Sequence, residues 1–348
     1  MFEALRIHKG DMRYDFEKDV LKWGENTLNR LGYMSKNKTD DAISILAQVF
    51  GAVRNLIPPV PRRVEVAEGF SCPQKHLKGY NQVISEIRQG KDLSPRGSRL
   101  QRNSSPHVDG MLVDWGIHHL HLGTKFIKRG RSKGLIEGGK EVVFVFFNHD
   151  CAYVIGIFDH QSWTKEWVVE RIEKNWPDLL EPFRINRTVD LSKDVSDIDR
   201  VLLRKHHINT PVKIGASIFF GPGGGFVAAG LGVNEVEKAA IVLRAVGDLI
   251  KWVSENENQL ETILSEFNQE VEREVLHFEV SKYILSRTYT LRTVKSAIRL
   301  HIPSSDEPAA LVHPSIAKVI EPIAEKYSYI EPSLLEGGIY IEKSEFEY

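Results

Sequence analysis

Apolar positions along the chain recur with two periods, and the change from one to the other divides it. Near the N-terminus Phe16, Val20, Leu28 and Leu31 fall on one helix face. Ile43, Leu46, Ala47, Phe50 and Val53 do the same in a second helix, started by Thr39-Asp40-Asp41 and ended by Pro58-Pro59-Val60-Pro61. A third helix is predicted from Gly79 to Gln89, followed by a polar loop from Arg96 to Pro106. The centre then turns to strand patterns. Residues 117–122, 141–147 and 151–158 read as strands, and Asn148-His149-Asp150 joins the last two into a hairpin. A helix over 164–175 follows, stopped by Pro177.

The remainder has its own pattern. A short helix is predicted over 197–205 and a strand over 212–220, which runs into Gly221-Pro222-Gly223-Gly224-Gly225. Helices over 234–253 and 258–275, strands over 277–284, 289–294 and 297–302, and an acidic tail from Glu331 complete the chain. Together these elements predict an α+β fold: N-terminal helices (1–89), a central antiparallel sheet with a flanking helix (90–185), and a C-terminal α/β region (186–348).

Composition narrows the function classes. The 348 residues carry a net charge of -1, so any nucleic-acid surface must be local. Two cysteines, Cys72 and Cys151, without paired spacing argue against a disulfide framework and a cysteine zinc site. The charged N-terminus has no signal-peptide core, and the longest uncharged stretch, 214–234, is too rich in glycine to cross a membrane. A cytoplasmic location is the expectation.

Histidine marks the candidate chemistry. Six of the 13 histidines (His107, His118, His119, His121, His149 and His160) fall within 54 residues. In the strand over 117–122, side chains alternate faces. His118 shares the face of Leu120 and Leu122, whereas His119 and His121 point to the other. An antiparallel meander would bring His121 close to His160 and leave His149 at the far turn. From Glu86 to Lys140 there are 11 Lys and Arg against 5 Asp and Glu. Lys128, Arg129 and Arg131, in the loop after the histidine strand, are therefore the expected phosphate-binding residues. Imidazoles beside them could exchange protons with a ribose hydroxyl and a leaving oxygen. The expected catalytic residues are His119, His121 and His160, with no cofactor, in a ribonuclease-like effector such as a toxin or phage-defence component. A module that binds nucleic acid or protein without catalysis is one alternative. A hydrolase with a metal on His119 and His121 is the other, with Asp109, Asp114 and His160 available as further ligands.

The run Asp109-Gly110-Met111-Leu112-Val113-Asp114-Trp115-Gly116-Ile117-His118-His119-Leu120-His121-Leu122-Gly123 resembles the signature of a bacterial protein family, and Gly90 to Pro95 and Gly221 to Gly225 fit it too. That resemblance implies no activity. Over 105–175 the order of strand, basic loop, two apolar strands and helix is similar to RelE/HigB-type toxins, which implies RNA cleavage without metal. The glycine run formally satisfies GxGxxA, but the expected helix opens only at Asn234, so a glycine turn or an anion cradle is the better expectation. The amphipathic helix with Leu260, Ile263, Leu264, Phe267 and Val271 suits core or a homodimer seam.

Overall fold

The computed structural model describes residues 13–33, 41–98, 109–130, 132–185, 191, 195–267, 275–286, 289–293, 298–302, 311, 313, 333–334 and 340–343. Along the chain lie β1 (Arg13–Tyr14), α1 (Phe16–Arg30), α2 (Ala42–Arg54), β2 (Arg63–Val66), α3 (Leu77–Arg88), α4 (Gly110–Trp115) and β3 (Ile117–His121). Next come β4 (Glu141–Phe147), β5 (Cys151–Asp159), α5 (Trp167–Asn175), α6 (Asp197–Lys205), β6 (Val212–Ile214) and β7 (Ser217–Phe219). The last are α7 (Val233–Glu255), α8 (Glu257–Phe267), β8 (Val275–Phe278), α9 (Val280–Ser286), β9 (Tyr289–Thr293), β10 (Ile298–Ile302), β11 (Ser333–Leu334) and β12 (Tyr340–Lys343). The fold is α+β, as the alternation of periods predicts.

The chain forms two compact units. One comprises 1–31, 37–49 and 237–348; the other comprises 32–36 and 50–236. The division falls inside α2 and α7. Of the three consecutive segments read from the sequence, 90–185 lies wholly in the second unit, and the other two contribute to both. Among the described residues no helix is long and apolar enough to cross a membrane.

The first unit holds a six-stranded sheet in the order β1-β8-β9-β10-β12-β11. Asp19 of α1 ties the helix to this sheet, accepting from Phe278 N (2.8 Å) and meeting His277 Nδ1 (2.8 Å). Two expectations change here. The strand expected over 277–284 ends at Phe278, and α9 begins at Val280. The acidic tail, to which the periodicity assigns no element, supplies a strand: Tyr340–Lys343 pairs antiparallel with β10, from Ile298↔Lys343 to His301↔Tyr340.

The second unit carries the histidine region. Its sheet runs β2-β5-β4-β3, antiparallel except that β2 joins β5 in parallel. The period of two sends Val142 and Phe144 to one face and Val143 and Val145 to the other. Each face is covered. Met111, Trp115, Ile117, Val168, Val169 and Ile172 pack on the first. Val83, Ile84 and Ile87 of α3 pack with Leu120, Leu122 and Val154 on the second. Burial on both sides is the physical reason β4 reads as a nearly unbroken apolar run. The strand expected over 212–220 is a tight hairpin instead, because Gly215 (φ 59) reverses the chain between β6 and β7.

Candidate functional site

The site is built around α4, which sequence reasoning missed. Asp109 caps its start: one carboxylate oxygen accepts from Met111 N (3.0 Å) and Leu112 N (3.2 Å). Gly116 ends it in the left-handed conformation (φ 70), and its N–H returns to Leu112 O at 2.9 Å. Asp114, Trp115 and Gly116, just ahead of the histidine strand, are therefore the end of a helix. An aspartate before an apolar run and a glycine after it were the available signals.

The glycine run explains itself against α4. Gly223 N donates to Asp114 O (2.9 Å) and Gly225 N to Val113 O (2.9 Å). Gly224 N donates to Gly221 O (3.0 Å), and Phe226 N to Asn209 Oδ1 (2.7 Å). A Cβ on Gly223 would stand 2.3 Å from Val113 O, so no other residue permits this approach. These amides are spent inside the chain. The run clamps a helix; it does not cradle an anion or a dinucleotide. Arg54 closes the clamp, donating to Leu112 O (3.0 Å) and Gly223 O (2.6 Å) while paired with the buried Glu235 at 3.0 Å.

So held, α4 presents Asp109 to β3. The second carboxylate oxygen of Asp109 lies 3.1 Å from His119 Nδ1, with both residues 8% exposed. The contact falls short of good hydrogen-bond geometry, so charge carries much of it. Burial disfavours the imidazolium, but the hydrogen bond and charge of Asp109 outweigh it and raise the His119 pKa. Burial likewise opposes the Asp109 carboxylate, yet His119 and the Leu112 amide hold its pKa down at about 2. His118 faces the other side of the sheet, edge-on to Phe147 at 5.5 Å. Burial, with help from the Arg54 charge, pushes it down to about 3 and keeps it neutral.

The meander brings three imidazoles together. β3 and β5 flank β4, with His121 opposite Val142 and Val142 opposite Phe158. His160 opens the 3₁₀ turn after β5. Its ring centroid lies 5.5 Å from that of His121 and 5.7 Å from that of His119, and the His119–His121 separation is 6.3 Å. His160 Nδ1 stands 2.8 Å from Lys140 O. A carbonyl only accepts, so Nδ1 carries the hydrogen and, in the neutral ring, Nε2 carries the lone pair. Behind the histidines, the buried Arg96 donates to His121 O (2.8 Å) and Gly123 O (3.2 Å) and is paired with Glu86. Arg96 was expected in a polar loop; instead it fixes the end of the histidine strand.

His119 and His160 line a cleft of about 430 Å³ with Asp109, Trp163, Val201, Arg204, Lys205, His207 and Phe226 among its walls. Arg204 is bound at 2.5 Å to Asp114, at 2.7 Å to Trp163 O, and lies over the Trp115 ring. Lys205 and His207 are exposed at the end of α6. His207 adopts the left-handed conformation (φ 58), with its ring beside Phe226 and over Gly230, where a Cβ would meet it at 2.5 Å. Such a backbone costs about 1–2 kcal/mol in a residue other than glycine, and packing holds it there.

The expected phosphate binders stand elsewhere. Lys128 and Arg129 are exposed on a loop closed by Ile127 N to Leu135 O (2.8 Å) and Gly134 N to Ile127 O (2.9 Å), and neither lines this cleft. Arg131 and His107 lie outside the described residues. His121 sits beside His160 but is not part of the cleft wall. His149 is exposed at the hairpin turn. Asp114, a candidate metal ligand in the sequence, is engaged by Arg204, and among the described residues no group of three His, Cys, Asp or Glu is arranged to hold a metal ion. The basic residues at the cleft come from α6 and the loop after it, and no sequence spacing connects those to the histidine strand. Comparison with family models, with curated proteins and with solved structures finds no match to this chain.

Proposed function

We propose that the protein cleaves RNA phosphodiester bonds in the cytoplasm by acid–base catalysis between His160 and His119. The observation that carries this reading is the pair of imidazoles 5.7 Å apart in one cleft, one oriented by a carboxylate and the other by a carbonyl. They are close enough to address two oxygens of a single phosphoryl group. His160, with its lone pair on Nε2, takes the proton of the ribose 2′-hydroxyl. The 2′-oxygen forms a bond to phosphorus as the bond to the 5′-oxygen breaks. His119, whose pKa Asp109 raises, gives a proton to that leaving 5′-oxygen. The products are a 2′,3′-cyclic phosphate and a free 5′-hydroxyl. In this reading Lys205 of the same cleft wall holds the phosphate, and His121, its ring 5.5 Å from that of His160, positions it.

The test is incubation of end-labelled RNA with the full chain in EDTA. Cleavage leaving cyclic phosphate ends, lost in His119→Ala and His160→Ala, supports the proposal. RNA that is bound and never cut overturns it in favour of a binding module. Cleavage only when Zn²⁺ or Mn²⁺ is supplied overturns it in favour of a metal-assisted hydrolase.

A further inference from the structure

We infer that the cleft takes single-stranded RNA and that Trp163 selects it by stacking on an unpaired base. This rests on the reading of the cleft as a phosphodiester site. Three observations support it. The first is depth: His119 is 8% exposed, so a phosphodiester reaches it only from inside the cleft. A nucleotide paired and stacked in a duplex cannot enter a space of about 430 Å³ without being splayed out. The second is the rim. Trp163, on the 3₁₀ turn that begins with His160, keeps 37% of its surface exposed while lining the cleft. Its ring stands edge-on to both imidazoles, at 6.3 Å from His160 and 6.5 Å from His119. Its carbonyl holds Arg204 Nη1 at 2.7 Å, which fixes the turn against α6. An indole left wet beside buried polar groups, on an anchored backbone, is a platform for a flat ring.

The third is the division of labour across the cleft. Trp163, Val201 and Phe226 supply apolar surface, and Lys205 supplies charge on the α6 side, with the His207 ring also in the wall. A nucleotide has the same two halves. Stacking accepts any base, so selection acts on strandedness more than on sequence.

The experiment measures binding and cutting separately, using a fluorescein-labelled eight-nucleotide oligouridylate, the same strand annealed to its complement, and the full chain in EDTA. Anisotropy is expected to give at least about 10-fold tighter binding of the single strand. Trp163→Ala is expected to lose about 10-fold or more of that affinity, raising KM with kcat changed much less. Trp163→Phe retains a flat ring and the Arg204 contact, so it is expected to recover most of the loss. Equal binding of duplex and single strand, or single-strand binding untouched in Trp163→Ala, overturns the inference. Cutting without strand preference removes this inference and leaves the proposed chemistry standing. Trp163-dependent binding without cutting sustains it and removes the chemistry.

Discussion

Replacing Asp109 by Asn isolates the charge at the centre of the site. Asparagine is as good a helix N-cap as aspartate, so the bonds from Met111 N and Leu112 N survive. What changes is the face toward His119 Nδ1, where an anion 3.1 Å away becomes a neutral amide. In the wild type the His119 pKa lies above its unfolded value, because Asp109 outweighs burial. Its protonation then contributes stability that is complete below the unfolded pKa and is lost as pH rises through the folded one. In Asp109→Asn burial alone remains and the shift changes sign. Each unit of fall in that pKa costs about 1.4 kcal/mol below pH 6.5. A charged hydrogen bond contributes about 1.5–3 kcal/mol, so the variant is expected to lose about 2–3 kcal/mol at pH 5.5. Above the folded His119 pKa, where the imidazole is neutral in both proteins, the loss is expected to shrink below about 1 kcal/mol. Urea titrations followed by tryptophan fluorescence at the two pH values give the difference, and imidazole NMR titration gives the pKa directly. A loss of equal size at both pH values, or a variant whose His119 still titrates above 6.5, refutes the assignment of the raised pKa to Asp109.

Other consequences follow from neighbouring groups. His118, held at about 3, binds protons more readily when unfolded, so stability is expected to fall as pH drops from 6.5 toward 3, by at most about 1.4 kcal/mol per unit. His118→Phe should flatten that slope in denaturation curves taken from pH 4 to 7. Gly223→Ala drives a Cβ into Val113 O and Leu112 O; a drop of at least about 2 kcal/mol is expected, read as a lower thermal midpoint together with a lowered His119 pKa as α4 shifts. Arg96→Met leaves Glu86 without its partner behind the histidine strand, at a cost of about 3 kcal/mol in urea titrations, and Arg96→Met with Glu86→Leu should recover most of it. No recovery in the double variant would mean that the carbonyl contacts of Arg96, and not the charge pair, hold the end of β3.

The sequence by itself determined what short-range rules govern. Alternation separated His118 from His119 and His121, turn chemistry gave the hairpin of β4 and β5, and the short helix read over 197–205 is α6 at Asp197–Lys205. The meander inferred from those strands also placed His160 beside His121. Only the tertiary structure decided the rest. It set Asp109 against His119, locked the glycine run onto α4 through hydrogen bonds from Gly223 and Gly225, and brought Lys205 of α6 and His207 of the following loop into the cleft that His119 and His160 line. It also carried Lys128 and Arg129 away from that cleft. The physical reason is range. Periodicity and caps are fixed within a few residues, whereas which face is buried, and which charge lies opposite a histidine, depends on the distant element that packs there.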